Sequence, residues 1–76
     1  MDIITIYGKQ GCPYTDKAVR LVEKYQTPYR LYYPTLPQAR HIMEVAGHWT
    51  YPICYEGKRL IGGSDALEDM LEEHNE

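Results

Sequence analysis

The apolar positions of the chain follow two periodicities, and the shorter one marks four strands. The nearly unbroken apolar run at residues 3–7 is typical of a strand covered on both faces, so we expect it at the centre of a sheet. Residues 29–33 alternate roughly and are rich in tyrosine, which predicts a second strand. Residues 53–55 and 58–61 flank Glu56-Gly57 and predict a tight antiparallel hairpin.

Three segments show the longer, helical spacing instead. The first covers about residues 13–26, and Pro13 at its first position loses no hydrogen bond there. The second begins after Thr35, which forms a predicted capping box with Gln38, and it ends at Gly47. The third follows a glycine pair and starts with Ser64 as its predicted cap.

The order of these elements is βαβαββα. A strand, a helix and a strand within some thirty residues predict a right-handed unit whose two strands are parallel. We therefore expect an α/β fold with a four-stranded mixed sheet and helices on both faces. A chain of 76 residues is expected to form one domain, residues 1–76.

Composition narrows the classes of function. The net charge of -3 argues against broad nucleic-acid binding, and no apolar stretch approaches the length of a membrane span. No signal peptide is visible, and two cysteines do not make a disulfide scaffold, so we expect a cytoplasmic protein. We also expect it to be a monomer. There are eight tyrosines and no phenylalanine, so tyrosines are expected at core edges where their hydroxyls stay wet.

Cys12 is the residue with the clearest candidate chemistry. It lies between the first strand and the first helix, at the position where a helix cap is expected. The amides of Tyr14 and Thr15 have no helical partners there and can point at the sulfur, and the helix dipole favours a negative charge. Such surroundings lower a cysteine pKa from about 8.5 to roughly 3.5–7.5. Cys12 is therefore predicted to be a nucleophile at neutral pH.

Several further motifs occur in order around this cysteine. They are Lys9, Cys12-Pro13-Tyr14, Thr50-Tyr51-Pro52 and Gly62-Gly63-Ser64-Asp65. In this combination the chain resembles the glutaredoxins, small proteins of the thioredoxin-like fold, over essentially its whole length. The resemblance implies a cis peptide bond before Pro52 and a backbone edge that pairs with glutathione like an added strand. The family usually has valine where this chain has Tyr51.

The resemblance also implies which residues act. The catalytic motif would be Cys12, Pro13, Tyr14 and Thr15, with glutathione as co-substrate and glutathionylated proteins or small disulfides as partners. The residues expected to bind glutathione are Lys9, Tyr14, Arg40, Tyr51, Pro52, Gly63, Ser64 and Asp65. Lys9 would contact a carboxylate, the amides of Gly63 and Ser64 the glutamyl carboxylate, and Asp65 the ammonium group.

Some of these residues have a second interpretation. Ser64 and Asp65 are also good helix-capping residues, and the same atoms can serve both purposes. Arg40 either reaches the glycine-end carboxylate or is a solvated arginine. Trp49, beside His48 in the same loop, either faces a substrate or covers the core. No Cys/His spacing predicts a metal site.

Thr15 is the main departure from the family pattern. Dithiol glutaredoxins carry their second cysteine there, so the resemblance implies a monothiol mechanism through Cys12. Cys54 lies inside a predicted strand and is expected to be a packed, inert thiol. The alternatives are a glutathione-ligated [2Fe–2S] cluster carrier, which the bulky Pro13-Tyr14 disfavours, a dithiol enzyme altered at Thr15, and a glutathione-binding domain without catalysis.

Overall fold

The computed structural model describes residues 2–74 and has the predicted order of elements. These are β1 (Ile4–Tyr7), α1 (Pro13–Lys24), β2 (Tyr29–Tyr32), α2 (Leu36–Ala46), β3 (Ile53–Glu56), β4 (Arg59–Gly62) and α3 (Ser64–His74). No helix within residues 2–74 is long and apolar enough to cross a membrane.

The four strands form one mixed sheet in the order β2-β1-β3-β4. β1 runs parallel to β2 and antiparallel to β3, with Ile6 opposite Leu31 on one side and Cys54 on the other. β3 and β4 form an antiparallel hairpin with an irregular register between Cys54 and Tyr55. The predicted parallel pair, the hairpin and the central position of the first strand are all confirmed.

One face of the sheet carries the main hydrophobic core. Ile4 and Ile6 point to this face and are fully buried against α1 and α3. The core is completed by a small set of buried side chains from both helices and from β3, namely Ala18, Leu21, Val22, Cys54, Leu67 and Leu71. The strand period of two therefore directs alternate β1 residues to this core, and the helices bury their apolar stripes against them.

The opposite face is aromatic, and a cavity separates it from α2. Tyr7 stacks on Tyr32 with ring centroids 5.8 Å apart, and it meets Tyr55 edge-on at 6.1 Å. A cavity of about 400 Å³ opens between this tyrosine cluster and side chains of α2 that include Ile42. All eight tyrosines are partly or fully exposed, which confirms that they occupy wet edges rather than the sealed core.

Local signals placed the second helix accurately. Thr35 Oγ1 accepts a hydrogen bond from the Gln38 backbone N–H at 3.4 Å, and Gln38 Oε1 accepts one from the Thr35 N–H at 3.0 Å. This is the predicted capping box. Gly47 ends the helix in the left-handed conformation with φ of 66°, as a C-terminal glycine should.

Several predicted boundaries differ from the observed ones by one or two residues. α1 ends at Lys24 rather than near residue 26, because Gln26 adopts a left-handed φ of 52° that a helix does not accommodate. The hairpin turn consists of Gly57 and Lys58, since Gly57 takes the positive φ of 58°. Ser64 is the first residue of α3 rather than its cap, and the first helical bond, from the Leu67 N–H, goes to the Gly63 carbonyl.

Candidate active site

Cys12 lies where the loop after β1 turns into α1. Its backbone is extended, with φ of -86° and ψ of 119°, and Pro13 follows at the first helical position. The Cys12 carbonyl accepts the first helical hydrogen bond, from the Asp16 N–H at 3.1 Å. The residue is half-buried, so its sulfur meets both the helix start and solvent. This is the cap position that the sequence predicts.

The helix start lowers the pKa of the Cys12 thiol below its usual value. The largest cause is the backbone N–H of Thr15, and the Thr15 hydroxyl and the N–H of Tyr14 act in the same direction. Partial burial and the negative charge of Asp16 oppose them without reversing the shift. Hydrogen-bond donors near a sulfur favour its ionised form over its neutral form. The pKa of Cys12 is therefore shifted in the direction expected of a nucleophile.

Thr15 lies behind the sulfur and is completely buried. Its Oγ1 accepts a hydrogen bond from the Lys9 backbone N–H at 3.2 Å. The hydroxyl proton remains available to donate toward Cys12. A Cβ on Gly8 would overlap the Thr15 methyl group, so the absence of a side chain at Gly8 makes room for threonine. The loop and the helix thus fit a threonine at this position in both shape and hydrogen bonding.

A groove begins beside Cys12, at the start of α1. A cavity of about 390 Å³ opens there, lined by Lys9, Gln10, Gly11, Cys12, Thr50 and Tyr51. It brings Lys9 and Tyr51, two of the predicted binding residues, to the same depression as the nucleophile. Thr50 and Tyr51, from the loop before Pro52, also line this cavity.

The groove continues past that loop toward α3. A second cavity of about 410 Å³ is lined by Tyr14, His48, Thr50, Tyr51, Gly63, Ser64, Asp65 and Ala66. Thr50 and Tyr51 line both cavities and so join them into one groove. The Tyr51–Pro52 peptide bond is cis, as the resemblance implies, and Pro52 is buried beneath the loop.

Asp65 forms an ion pair that the sequence did not reveal. Lys17 Nζ lies 2.8 Å from Asp65 Oδ1 and 3.3 Å from Glu68 Oε1, which ties α1 to α3. Asp65 and then Glu68 raise the pKa of Lys17. The Asp65 side chain is still 87% exposed, so its carboxylate remains open to the groove. Surface pairs of this kind add little to stability.

Three residues weighed in the sequence lie elsewhere. Arg40 is exposed on α2 and lines neither half of the groove, so its contact with glutathione stays a prediction. Trp49 is 61% exposed, so it does not cover the core. Cys54 is fully buried among core residues, and burial raises its pKa to about 12. The expectation of a packed, inert Cys54 is confirmed.

Sequence reasoning gave no role to two residues at this groove, His48 and Lys17. His48 lines the cavity near α3, and Lys17 forms the ion pair with Asp65. The only sequence signal for His48 was its position in the loop before Pro52. The ion pair joins residues 48 apart in the chain, so no local pattern reveals it. Within residues 2–74, no cluster of three or more His, Cys, Asp and Glu side chains is arranged to hold a metal ion.

Substituting Thr15 by valine tests the role of its hydroxyl. Valine keeps the methyl group beside Gly8 but removes the donor to the sulfur, so the Cys12 pKa should rise toward its ordinary value. Because thiolate is the reactive form, alkylation by iodoacetamide at pH 6.5 should slow by about three- to tenfold. The measurement is the alkylation rate of Cys12 between pH 4 and 10, read by intact mass.

Thr15→Ser is the matched control because it keeps the hydroxyl, and its titration should resemble that of the unmodified chain. A valine variant that titrates like the unmodified chain would contradict the role given to the hydroxyl. An equal loss in the serine variant would show that the methyl contact, and not the hydroxyl, controls the sulfur.

Comparison with models of known protein families gives no match, and comparison with curated proteins finds no similar sequence. Among solved structures, the crystal structure of a wheat glutaredoxin is similar to this one. The TM-score is 0.75 and the sequence identity 18%, over 92% of this chain and 82% of that chain. At this identity the likeness concerns architecture, and activity has to be argued from the site. The chain therefore has the thioredoxin-like fold of a glutaredoxin.

Proposed function

We propose that this protein is a glutathione-dependent thiol–disulfide oxidoreductase that reduces mixed disulfides of glutathione through Cys12 alone. The observation that carries the proposal is a half-exposed, acidic Cys12 thiol in an open groove with no second reachable thiol. Thr15 stands beside Cys12, and Cys54 is sealed in the core. These features favour chemistry that needs one sulfur in the protein.

The reaction consists of two thiol–disulfide exchanges. The Cys12 thiolate attacks the glutathione sulfur of a mixed disulfide, that S–S bond breaks, and the other thiol leaves and takes up a proton. Cys12 then carries glutathione as a new disulfide. The thiolate of a second glutathione attacks the glutathione sulfur of this adduct, which releases glutathione disulfide and restores the Cys12 thiolate. The low pKa of Cys12 helps twice, because it supplies thiolate for attack and makes this sulfur a better leaving group.

The groove offers contacts along the whole length of a tripeptide. Near Cys12, Lys9 provides a cation for the glycine-end carboxylate. The backbone of Thr50 and Tyr51, which line both cavities, would pair with the central peptide as an added strand does. At the far end, the amides at the start of α3 suit the glutamyl carboxylate, and Asp65 suits the ammonium group.

A coupled turnover assay tests the proposal. The substrate is a mixed disulfide between glutathione and a small thiol, and the formation of glutathione disulfide is followed with glutathione reductase and NADPH. We expect saturable turnover and, in the absence of free glutathione, an intact mass increased by one glutathione. Cys54→Ala is the matched control and should retain turnover. The proposal would be contradicted if the chain showed no turnover above the uncatalysed exchange and formed no glutathione adduct.

A further inference from the structure

Gly8 is buried directly after β1, and its backbone conformation does not require a glycine. Its φ is not among the positive values that other glycines of the chain, such as Gly11, adopt. Its N–H donates a hydrogen bond to the Tyr32 carbonyl at 2.9 Å, which fixes the residue to β2. Since an alanine would not meet the penalty of a left-handed conformation here, the reason for a glycine lies in the space around it.

The space beside Gly8 is filled by Thr15. A Cβ on Gly8 would overlap the Thr15 methyl group, and it would lie 3.0 Å from Oγ1 and 3.2 Å from the Thr15 Cβ. Neither residue can move aside freely, because Gly8 is bonded to β2 and Thr15 is fully buried in the first turn of α1. A β-branched side chain is also stiff about χ1. The missing side chain of one residue is thus matched to the methyl group of the other.

The peptide groups of Lys9 connect this contact to the sulfur. The Lys9 N–H donates to Thr15 Oγ1 at 3.2 Å, and the Lys9 carbonyl accepts a hydrogen bond from the Cys12 N–H at 3.2 Å. With one lone pair of Oγ1 engaged, the single proton of the hydroxyl is left for another acceptor. The Thr15 hydroxyl is one of the donors that lower the pKa of Cys12.

We infer that Gly8 is a positioning residue for Cys12, because its missing side chain seats the Thr15 methyl group so that the Lys9 N–H can aim the Thr15 hydroxyl at the sulfur. The inference rests on the proposed function, in which Cys12 is the nucleophile. It extends the site to a residue four positions before the cysteine, outside the catalytic motif and outside the groove. The size of the residue at position 8 then controls how much thiolate Cys12 supplies.

Charges near the sulfur do not account for such an effect. The titratable side chains around Cys12 come from three elements, namely Tyr14 and Asp16 of α1, Lys9 of the loop after β1 and Tyr51 of the loop before Pro52. All of them are retained when Gly8 or Thr15 is substituted by an uncharged residue. A changed pH profile of Cys12 in such variants therefore reports the hydrogen-bond donors at the helix start.

Gly8→Ala in the full chain tests the inference through the alkylation of Cys12 by iodoacetamide. The added methyl group displaces Thr15, so the Cys12 pKa should rise and alkylation at pH 6.5 should slow by about three- to tenfold. At pH 9.5 the sulfur is ionised in both chains, and the rates should agree within about twofold. A loss of access to the sulfur would instead slow the reaction equally at both pH values and would contradict the inference.

Rescue at position 15 is the matched control. Thr15→Ser removes the overlapping methyl group and keeps the hydroxyl, so Gly8→Ala/Thr15→Ser should react within about twofold of the Thr15→Ser chain at pH 6.5. A folded Gly8→Ala chain with an unchanged pH profile would overturn the inference. If Gly8→Ala alone does not fold, the double variant decides: a folded chain that titrates like Thr15→Ser supports the inference, and an unfolded or differently titrating one overturns it. Failure of the proposed function has a different signature, since alkylation needs no glutathione and coupled turnover does.

Discussion

Replacement of Cys12 by serine is expected to reduce glutathione-coupled turnover to the uncatalysed rate. The serine hydroxyl lacks the sulfur needed to form a mixed disulfide, and no other thiol can take over the reaction. Cys54 is fully buried, and burial raises its pKa to about 12, so it offers almost no thiolate at neutral pH. The measurement is the initial rate with a glutathione mixed disulfide, together with the intact mass after exposure to that disulfide without free glutathione.

The control for this prediction is Cys54→Ser or Cys54→Ala, with folding verified by circular dichroism. Either should form the adduct at Cys12, whereas the Cys12→Ser chain should form none. Activity that survives in Cys12→Ser would place the chemistry at another group and would remove the basis of the proposed function. Serine is close to cysteine in size, and Cys12 is half-exposed, so loss of folding is not the expected cause of inactivity.

The second large effect concerns stability. Leu67→Ala is expected to lower the free energy of unfolding by about 2–5 kcal/mol, because it removes a fully buried side chain and leaves a cavity between α3, α1 and the sheet. A chain of 76 residues lies toward the low end of the usual stability range of about 5–15 kcal/mol. The melting temperature should therefore fall by about 8 °C or more.

Leu36→Ala is the matched control for this change. It is the same substitution in a helix, but Leu36 is 81% exposed, so the expected change is within about 0.5 kcal/mol. Urea unfolding of both variants, followed by circular dichroism, gives the comparison. Equal destabilisation by the two substitutions would show that Leu67 is not in the core that the sheet shares with α1 and α3.

The sequence predicted the fold well because each element carries its own local signal. The alternation and length of the apolar runs gave all four strands, and the central position of β1 followed from its two apolar faces. Thr35 and Gln38, three positions apart, specified the start of α2 through a capping box. Boundaries were less predictable where one backbone conformation decides the outcome. The left-handed conformation of Gln26 ends α1 early, and no residue preference announces it.

The candidate site was predictable only in part. The position of Cys12 at the start of α1 is determined by residues adjacent to it in the sequence, such as Pro13, so the sequence motif predicted it correctly. The hydrogen bond between His48 and Thr50 and the packing of the His48 ring over Gly63 depend on how the loop folds back on α3. The pairing of Lys17 with Asp65 likewise depends on the packing of α1 against α3. Contacts of this kind arise from tertiary structure, and a single sequence contains no local record of them.

The burial of Cys54 has a further consequence for electron storage. An enzyme with two neighbouring thiols can hold two electrons in one internal bond, and that couple has a reduction potential of its own. This chain has two cysteines, of which one is enclosed in the core, so it has no such internal couple. The oxidation state of Cys12 is defined only together with the external thiol to which it is joined. Under the proposed function, the redox state of the protein would therefore follow the surrounding thiol pool.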